Sequence, residues 1–193
     1  MNSTSSAKPI HVMLDLETLG TKPGCPILSI GATTFLTTVP ERFYQVIQEQ
    51  QVLMDLPDPD TVAWWKQQSE AAQREIFGND QALDICSSLT LFVQWLNYIK
   101  QDPGAHIVIW GKGANFDEPI LREAFSRYNI PYPISGKHSM CFRTLELIGK
   151  MARIQVPDFI GDRHNALADA EHQAQYAELI FDDLSILWPC YYE

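Results

Sequence analysis

The chain has 193 residues, of which 46% are hydrophobic and 20% are charged; this composition is typical of one globular domain and excludes a fibrous or disordered chain. Its formal net charge of −10 argues against broad electrostatic binding of nucleic acid, which usually leaves a basic surface. This charge does not exclude a polyanionic substrate, because bound divalent cations would make the protein surface locally positive.

We expect neither a secretory leader nor a membrane span from this sequence. The polar start of the chain carries no positive segment followed by an apolar one, and no apolar run approaches the length needed to cross a bilayer. The four cysteines lie far apart and form no C-x-x-C pair, which argues against a zinc knuckle or a redox motif. We therefore expect a cytoplasmic protein with reduced thiols and no membrane partner, made of a short flexible tail at 1–9 and a single domain at 10–193.

The predicted elements change from strands to helices along the chain. Apolar runs bounded by turn residues predict strands, and apolar residues at helical spacing behind a capping residue predict helices. In chain order these are strands at 11–20, 26–35 and 41–48, a helix capped by Asp60 or Thr61, a helix from about 79 to a turn at 102–104, a strand at 106–110, a helix from about 117, a short strand near 140, and a helix from about 165 toward 187. Three strands joined by short turns predict an antiparallel meander. The whole order predicts an α/β fold with a mixed sheet flanked by helices.

Two carboxylates stand at the end of the first predicted strand. Because a strand alternates faces with a period of two, Asp15 and Glu17 point the same way and lie close together. Like charges at this separation repel unless a cation or a shared proton compensates them, so the pair indicates metal binding or acid–base chemistry. A strand with a solvated outer face is the alternative.

Two further acidic positions fall at the ends of predicted elements, where α/β folds gather functional groups. Asp117, in N-F-D, follows a strand and opens a helix, and it could simply cap that helix. Asp169 opens the last helix and could simply favour its dipole. His164, five residues earlier, could be an ordinary loop histidine.

Taken together and in order, D-x-E, N-F-D and H-x4-D resemble the DEDD exonucleases, in the subgroup that has a histidine five residues before the last Asp. This family includes ribonuclease T, oligoribonuclease and the proofreading subunit of bacterial DNA polymerase. The five matching positions are Asp15, Glu17, Asp117, His164 and Asp169. The D-L-E-T-L-G start, the adjacent tryptophans and the compact length look most like the small phage and bacterial 3'-5' exoribonuclease-like branch.

The resemblance implies a ribonuclease-H-like fold and a two-metal phosphodiesterase that removes nucleoside 5'-monophosphates from nucleic acid with a free 3' end, either single-stranded or 3'-overhanging. Asp15 would bridge two divalent cations, Mg²⁺ or Mn²⁺, which hard oxygen ligands favour. Glu17 and Asp169 would hold the cation that carries the attacking water, and Asp117 would support the other cation largely through water. His164 would act as the general base. Relatives in this family commonly form dimers, so the resemblance also allows a homodimer.

The family pattern also suggests residues that contact the terminal nucleotide. Thr18 and Leu19 match positions at which the backbone reaches the terminal sugar and a leucine wedges against a base, although Leu19 could equally belong to the core. The other residues expected to contact the nucleotide are Trp64, Trp65, Asn115 and Phe116. Phe116 could also be a core residue. Adjacent helical positions differ by about 100°, so one of the two tryptophans is expected to be exposed and to stack on a base.

Two other functions fit parts of the pattern. A haloacid-dehalogenase-type phosphatase also begins with an apolar strand that ends in acidic residues, and its late acidic motif would need Asp158, Asp162 and Asp169. That scheme gives the spacing between His164 and Asp169 no role. A nucleic-acid-binding module with an inactive exonuclease site is the second alternative, but all five signature positions are present.

Overall fold

The computed structural model describes residues 9–48, 57–101 and 104–185. Within these ranges the strands are β1 (Ile10–Thr18), β2 (Ile27–Phe35), β3 (Arg42–Val46), β4 (Ile107–Gly111) and β5 (Ser139–Cys141). The helices are α1 (Pro59–Trp65), α2 (Glu70–Phe77), α3 (Ile85–Ile99), α4 (Asp117–Arg127), α5 (Phe142–Met151) and α6 (Ala166–Asp183). None of the helices in the described ranges combines the length and apolar character needed to cross a membrane.

The strands form one five-stranded sheet in the order β3-β2-β1-β4-β5. The first three strands pair antiparallel, whereas β4 pairs parallel with β1 and β5 pairs parallel with β4. The predicted meander and the mixed-sheet α/β class are therefore confirmed. Because β1 is central, the functional groups that it carries lie in the middle of the sheet.

The alternation of side chains along β1 divides the core between the two faces of the sheet. Val12, Leu14 and Leu16 pack with residues of α3 and α4. Met13 packs instead with residues of α5 and α6 on the opposite face. The odd-numbered carboxylates of β1 share the face of Met13, since side chains of a strand alternate with a period of two, and they therefore point toward α6.

Helix α6 lies close to the backbone of β2 at residue 31, which is a glycine. A Cβ atom at Gly31 would come within 3.0 Å of backbone atoms of Ala166 and Leu167, which is closer than two such atoms can lie. Gly31 is also paired directly with Asp15 in the antiparallel register. The missing side chain therefore allows the first turn of α6 to lie beside the acidic end of β1.

Two helix starts differ from the predicted ones. The cap of α1 is Asp58, not Asp60 or Thr61, because the Asp58 side chain accepts a hydrogen bond from the Asp60 backbone N–H and Pro59 occupies the first helical position. The helix predicted from about 79 begins only at Ile85. The residues before it do not form a helix, because Leu83 pairs with Ile47 in an isolated β-bridge at the edge of the sheet.

Helix α2 was not predicted, although Ser69 caps it by accepting a hydrogen bond from the Ala72 backbone N–H. The short strand near 140 and the helix that opens with Asp117 are confirmed. Residues 1–8, residues 102–103 of the predicted turn and the predicted end of the last helix at 187 lie outside the described residues.

The close contact at Gly31 predicts that adding one methyl group there strongly destabilises the folded protein. Gly31→Ala should lower the free energy of unfolding by about 1–3 kcal/mol or more, because both clashing partners are backbone and cannot rotate away. Urea unfolding measures this cost. Gly136→Ala is the control, because the nearest atom to its Cβ is the end of the Arg122 side chain, at 3.7 Å. Equal effects at the two positions would contradict the prediction.

Candidate active site

Carboxylates from two elements surround one point at the end of β1. Asp15 and Glu17 lie on β1, and Asp169 lies in the first turn of α6. One carboxylate oxygen from each of the three lies within 4.8 Å of the other two. The structure therefore brings together three of the four residues predicted as metal ligands.

The fourth predicted ligand, Asp117, lies beside this group and is 1% exposed. Its Oδ1 accepts a hydrogen bond from the Leu16 backbone N–H at 3.2 Å, and its Oδ2 accepts one from the Lys112 backbone N–H at 2.8 Å. The helix-cap alternative is wrong, because the cap of α4 is Phe116 and the Asp117 oxygens serve backbone groups outside the helix. Asp117 therefore joins β1 to the segment that follows β4.

Burial favours protons on all four carboxylates, and repulsion by acidic neighbours adds to this effect at Asp15 and Glu17. Burial, followed by the charges of Asp169 and Asp117, raises the pKa of Glu17 from near 4.5 to about 8. Burial and its three acidic neighbours also raise the pKa of Asp15 well above its usual range. Burial raises the pKa of Asp117 to about 6 against the effect of its backbone hydrogen bonds, and it raises the pKa of Asp169. In the described part of the chain, no lysine or arginine forms an ion pair with any of the four.

This donor set fits a divalent cation. Carboxylate oxygens are hard ligands of the kind that Mg²⁺ and Mn²⁺ prefer. A cation among Asp15, Glu17 and Asp169 would also compensate the neighbouring negative charges that, after burial, raise the pKa values of Asp15 and Glu17. The three clustered groups include neither a thiolate nor an imidazole, so they do not resemble a structural zinc site.

His164 lies at the same end of α6 and is held in an uncommon backbone conformation. Its φ is 66°, in the left-handed region that non-glycine residues seldom adopt. The His164 backbone N–H donates to Oδ2 of Asp169 at 2.9 Å, and Asn165 caps the helix between them. Asp169 thus contributes to the acidic group and also fixes the position of the histidine.

The two adjacent tryptophans of α1 have different environments. Trp65 is 2% exposed, and its Nε1 donates to the Thr18 backbone carbonyl at 2.9 Å. Trp64 is 40% exposed, and its ring contacts the rings of Trp65 and His164 edge-on, with centroid separations of 5.3 Å and 4.8 Å. Only one tryptophan faces the core, as the helical spacing predicts.

A cleft of about 520 Å³ leads to the carboxylates. The predicted site residues that line it are Asp15, Glu17, Thr18, Trp64, Phe116, His164 and Asp169. The other four predicted residues, Leu19, Trp65, Asn115 and Asp117, lie outside its lining. Leu19 is 7% exposed and packs with Trp65 and Ile76, which favours its alternative interpretation as a core residue.

Gln173 and Lys112 are among the cleft residues that the sequence reasoning missed. Gln173 is buried and donates from Nε2 to Oδ1 of Asp15 at 2.7 Å. Its position four residues after Asp169 places it on the same face of α6, a spacing that could have identified it. Lys112 follows β4 directly and lines the cleft, and its place after a strand end is the only signal in the sequence.

The raised pKa of Glu17 predicts a pH-dependent loss of stability in metal-free protein. Between its unfolded pKa near 4.5 and its folded pKa of about 8, the folded state holds a proton that the unfolded state releases, so stability falls as pH rises. In chelator, Glu17→Gln should match the wild type at about pH 4, below both pKa values. At about pH 8 it should exceed the wild type by on the order of 2–4 kcal/mol. Urea unfolding at both values checks this, and parallel stability curves for the two proteins would contradict it.

Comparisons with known proteins agree with this architecture. The nuclease domain of 3'hExo, described as a DEDDh family member bound to rAMP, superimposes with a TM-score of 0.62 at 14% identity, over 95% of this chain and 95% of that one. Cell-death related nuclease 4 (CRN-4) superimposes with a TM-score of 0.57 at 14% identity, over 90% of this chain and 64% of that one. No curated protein matches the sequence significantly.

The predicted ribonuclease-H-like fold is therefore confirmed as that of the DEDDh nucleases. Residues 10–181 match the family of 3'-5' exoribonuclease Rv2179c-like domains, which confirms the family resemblance and an exonuclease activity. Since this match spans nearly all of the described structure, the chain belongs to the Rv2179c-like 3'-5' exoribonuclease domain family.

Proposed function

We propose that the cleft removes nucleotides one at a time from the 3' end of single-stranded or 3'-overhanging nucleic acid and releases nucleoside 5'-monophosphates. The observation that carries this proposal is the meeting of Asp15, Glu17 and Asp169 with His164 and Trp64 in one cleft. RNA is the first substrate class to test, because the family is named for exoribonucleases.

Asp15, Glu17 and Asp169 would hold two divalent cations, Mg²⁺ or Mn²⁺, with Asp15 shared between them. Asp117 would support this centre through water, because backbone N–H groups already occupy its two oxygens. When bound, the cations would activate the attacking water and stabilise the charge that develops on the phosphate and on the leaving 3'-oxygen.

His164 would take the proton from the attacking water as the general base. The hydrogen bond from its backbone to Asp169 leaves the imidazole free to reach the cleft, which His164 lines. A neutral imidazole is a suitable proton acceptor near neutral pH. The released 3'-oxygen then becomes the new end of the shortened strand.

Trp64 and Phe116 offer the aromatic surface on which bases would stack, and Thr18 lines the same cleft. Asp58 and Asp60 line the same cleft, so its α1 side would repel phosphate. The cleft therefore suits short ends, held by stacking and by the metal centre, better than long polyanions held by charge.

The phosphatase alternative has less support. It requires Asp158, Asp162 and Asp169 as one late acidic motif, but of these three only Asp169 lines the cleft with Asp15. The antiparallel start of the sheet and the family match also favour the exonuclease.

Digestion of 5'-labelled RNA and DNA oligonucleotides, single-stranded and with 3' overhangs, tests the proposed function. In Mg²⁺ or Mn²⁺ we expect stepwise shortening from the 3' end with release of nucleoside 5'-monophosphates. EDTA should abolish the activity, and Asp15→Asn should be inactive because it alters the ligand shared by both cations. Mononucleotides carrying 3'-phosphates, or full activity in EDTA, would overturn the proposal. Binding of the oligonucleotides without turnover would instead support an inactive binding module.

His164 predicts a separate kinetic signature. His164→Asn should lower turnover by roughly 10²–10⁴-fold, which is the contribution of a general base, while divalent cation binding persists. Asparagine is the appropriate replacement because it tolerates a positive φ. The lower limb of the pH–rate profile should disappear in this variant, and unchanged turnover would remove His164 from the mechanism.

The tryptophan pair provides a matched comparison of binding and stability. Trp64→Ala should weaken binding of a single-stranded oligonucleotide by roughly 1–3 kcal/mol, as the loss of one stacked base does, with little change in melting temperature. Trp65→Ala should lower the free energy of unfolding by about 3–5 kcal/mol, because its ring is buried and its Nε1 is hydrogen-bonded. Fluorescence anisotropy and thermal unfolding give the two readouts. Normal binding by the Trp64 variant would exclude stacking on that ring.

A further inference from the structure

Gln173 is the one side chain in the described part of the chain that donates a hydrogen bond to the clustered carboxylates of Asp15, Glu17 and Asp169. Its Nε2 lies 2.7 Å from Oδ1 of Asp15, and the side chain is 3% exposed although it lines the cleft. It comes from α6, one helical turn after Asp169. The same helix thus contributes one carboxylate of the cluster and fixes another.

The other end of the Gln173 amide has no hydrogen-bond partner among the residues that the structure describes. Its Oε1 is buried and accepts no hydrogen bond from the described residues. A buried acceptor without a partner is unfavourable, and an apolar side chain of similar size would avoid this cost. The amide at position 173 is therefore better explained by its contact with Asp15 than by core packing.

The neutrality of this donor matters for a cation site. A lysine or arginine at position 173 would also hold Asp15, but its charge would compensate the carboxylates and oppose a metal ion. An amide orients the Asp15 carboxylate and adds no positive charge to the cluster. Outer partners of this kind orient metal ligands, and their loss typically lowers metal affinity by about 10–100-fold.

We propose that Gln173 is a positioning residue that holds the Asp15 carboxylate in the orientation needed to bind divalent cations. This inference rests on the proposed metal centre and adds a residue that does not itself contact the cation. It assigns to α6 a second role in the site, beyond placing Asp169 and His164.

Titration of metal-free protein with Mn²⁺, followed by the electron paramagnetic resonance of the free ion, tests the proposal. Gln173→Met keeps the length of the side chain and removes its donor, and it should raise the Mn²⁺ dissociation constant by about 10-fold or more. The melting temperature of the metal-free variant should not fall, because the unpaired carbonyl is removed as well. Gln175→Met is the control, since Gln175 is exposed on the same helix and its replacement should leave Mn²⁺ binding unchanged.

Gln173→Lys provides an independent second variant. Its ammonium group should raise the melting temperature of the metal-free protein and weaken Mn²⁺ binding more than Gln173→Met does. Wild-type Mn²⁺ affinity in the Met variant, or a lower melting temperature with unchanged affinity, would overturn the positioning role. Failure of the wild type to bind Mn²⁺ would instead contradict the metal centre of the proposed function, so the two failures are distinguishable.

Discussion

The site depends on one close approach of two backbones, that of β2 at Gly31 and that of the first turn of α6. Helix α6 carries Asp169 and Gln173 and is preceded by His164. Its position on the sheet therefore determines the positions of all three side chains. Any side chain at position 31 would lift the helix away from β1. A residue outside the proposed catalytic groups therefore controls the distance between those groups.

This approach concentrates negative charge that the fold itself does not neutralise. The hydrogen bonds that reach the carboxylates come from uncharged groups, namely the backbone N–H groups of Leu16, Lys112 and His164 and the amide of Gln173. Such donors fix the orientation of a carboxylate without removing its charge. The metal-free site is held in place but remains electrostatically incomplete, which is the condition under which a cation binds with a strong preference for the folded state.

Much of this arrangement could be predicted from the sequence, because the decisive signals are local. The alternation of β1 identified Asp15 and Glu17 as neighbours, and residues at helical spacing identified the last helix, which begins close to the predicted residue 165. Tertiary contacts decided the rest. Leu19 follows the same strand as the acidic pair, yet it is drawn into the core by α1 and α2. A glycine inside an apolar strand indicates that something approaches closely, but only the structure shows that the partner of Gly31 is the backbone of α6.

The hydrogen bond from Trp65 to the Thr18 carbonyl has a consequence for the exposed ring beside it. Because this bond ties α1 to the end of β1, and because the Trp64 ring rests edge-on against Trp65 and His164, Trp64 has little rotational freedom left to lose. A base that stacks on it would meet a surface already in its bound arrangement, so the entropic cost of ordering that side chain is met during folding and not during association. In the proposed function, the buried tryptophan would thereby make its neighbour a preorganised platform, on which each shortened end is received without rearrangement of the protein.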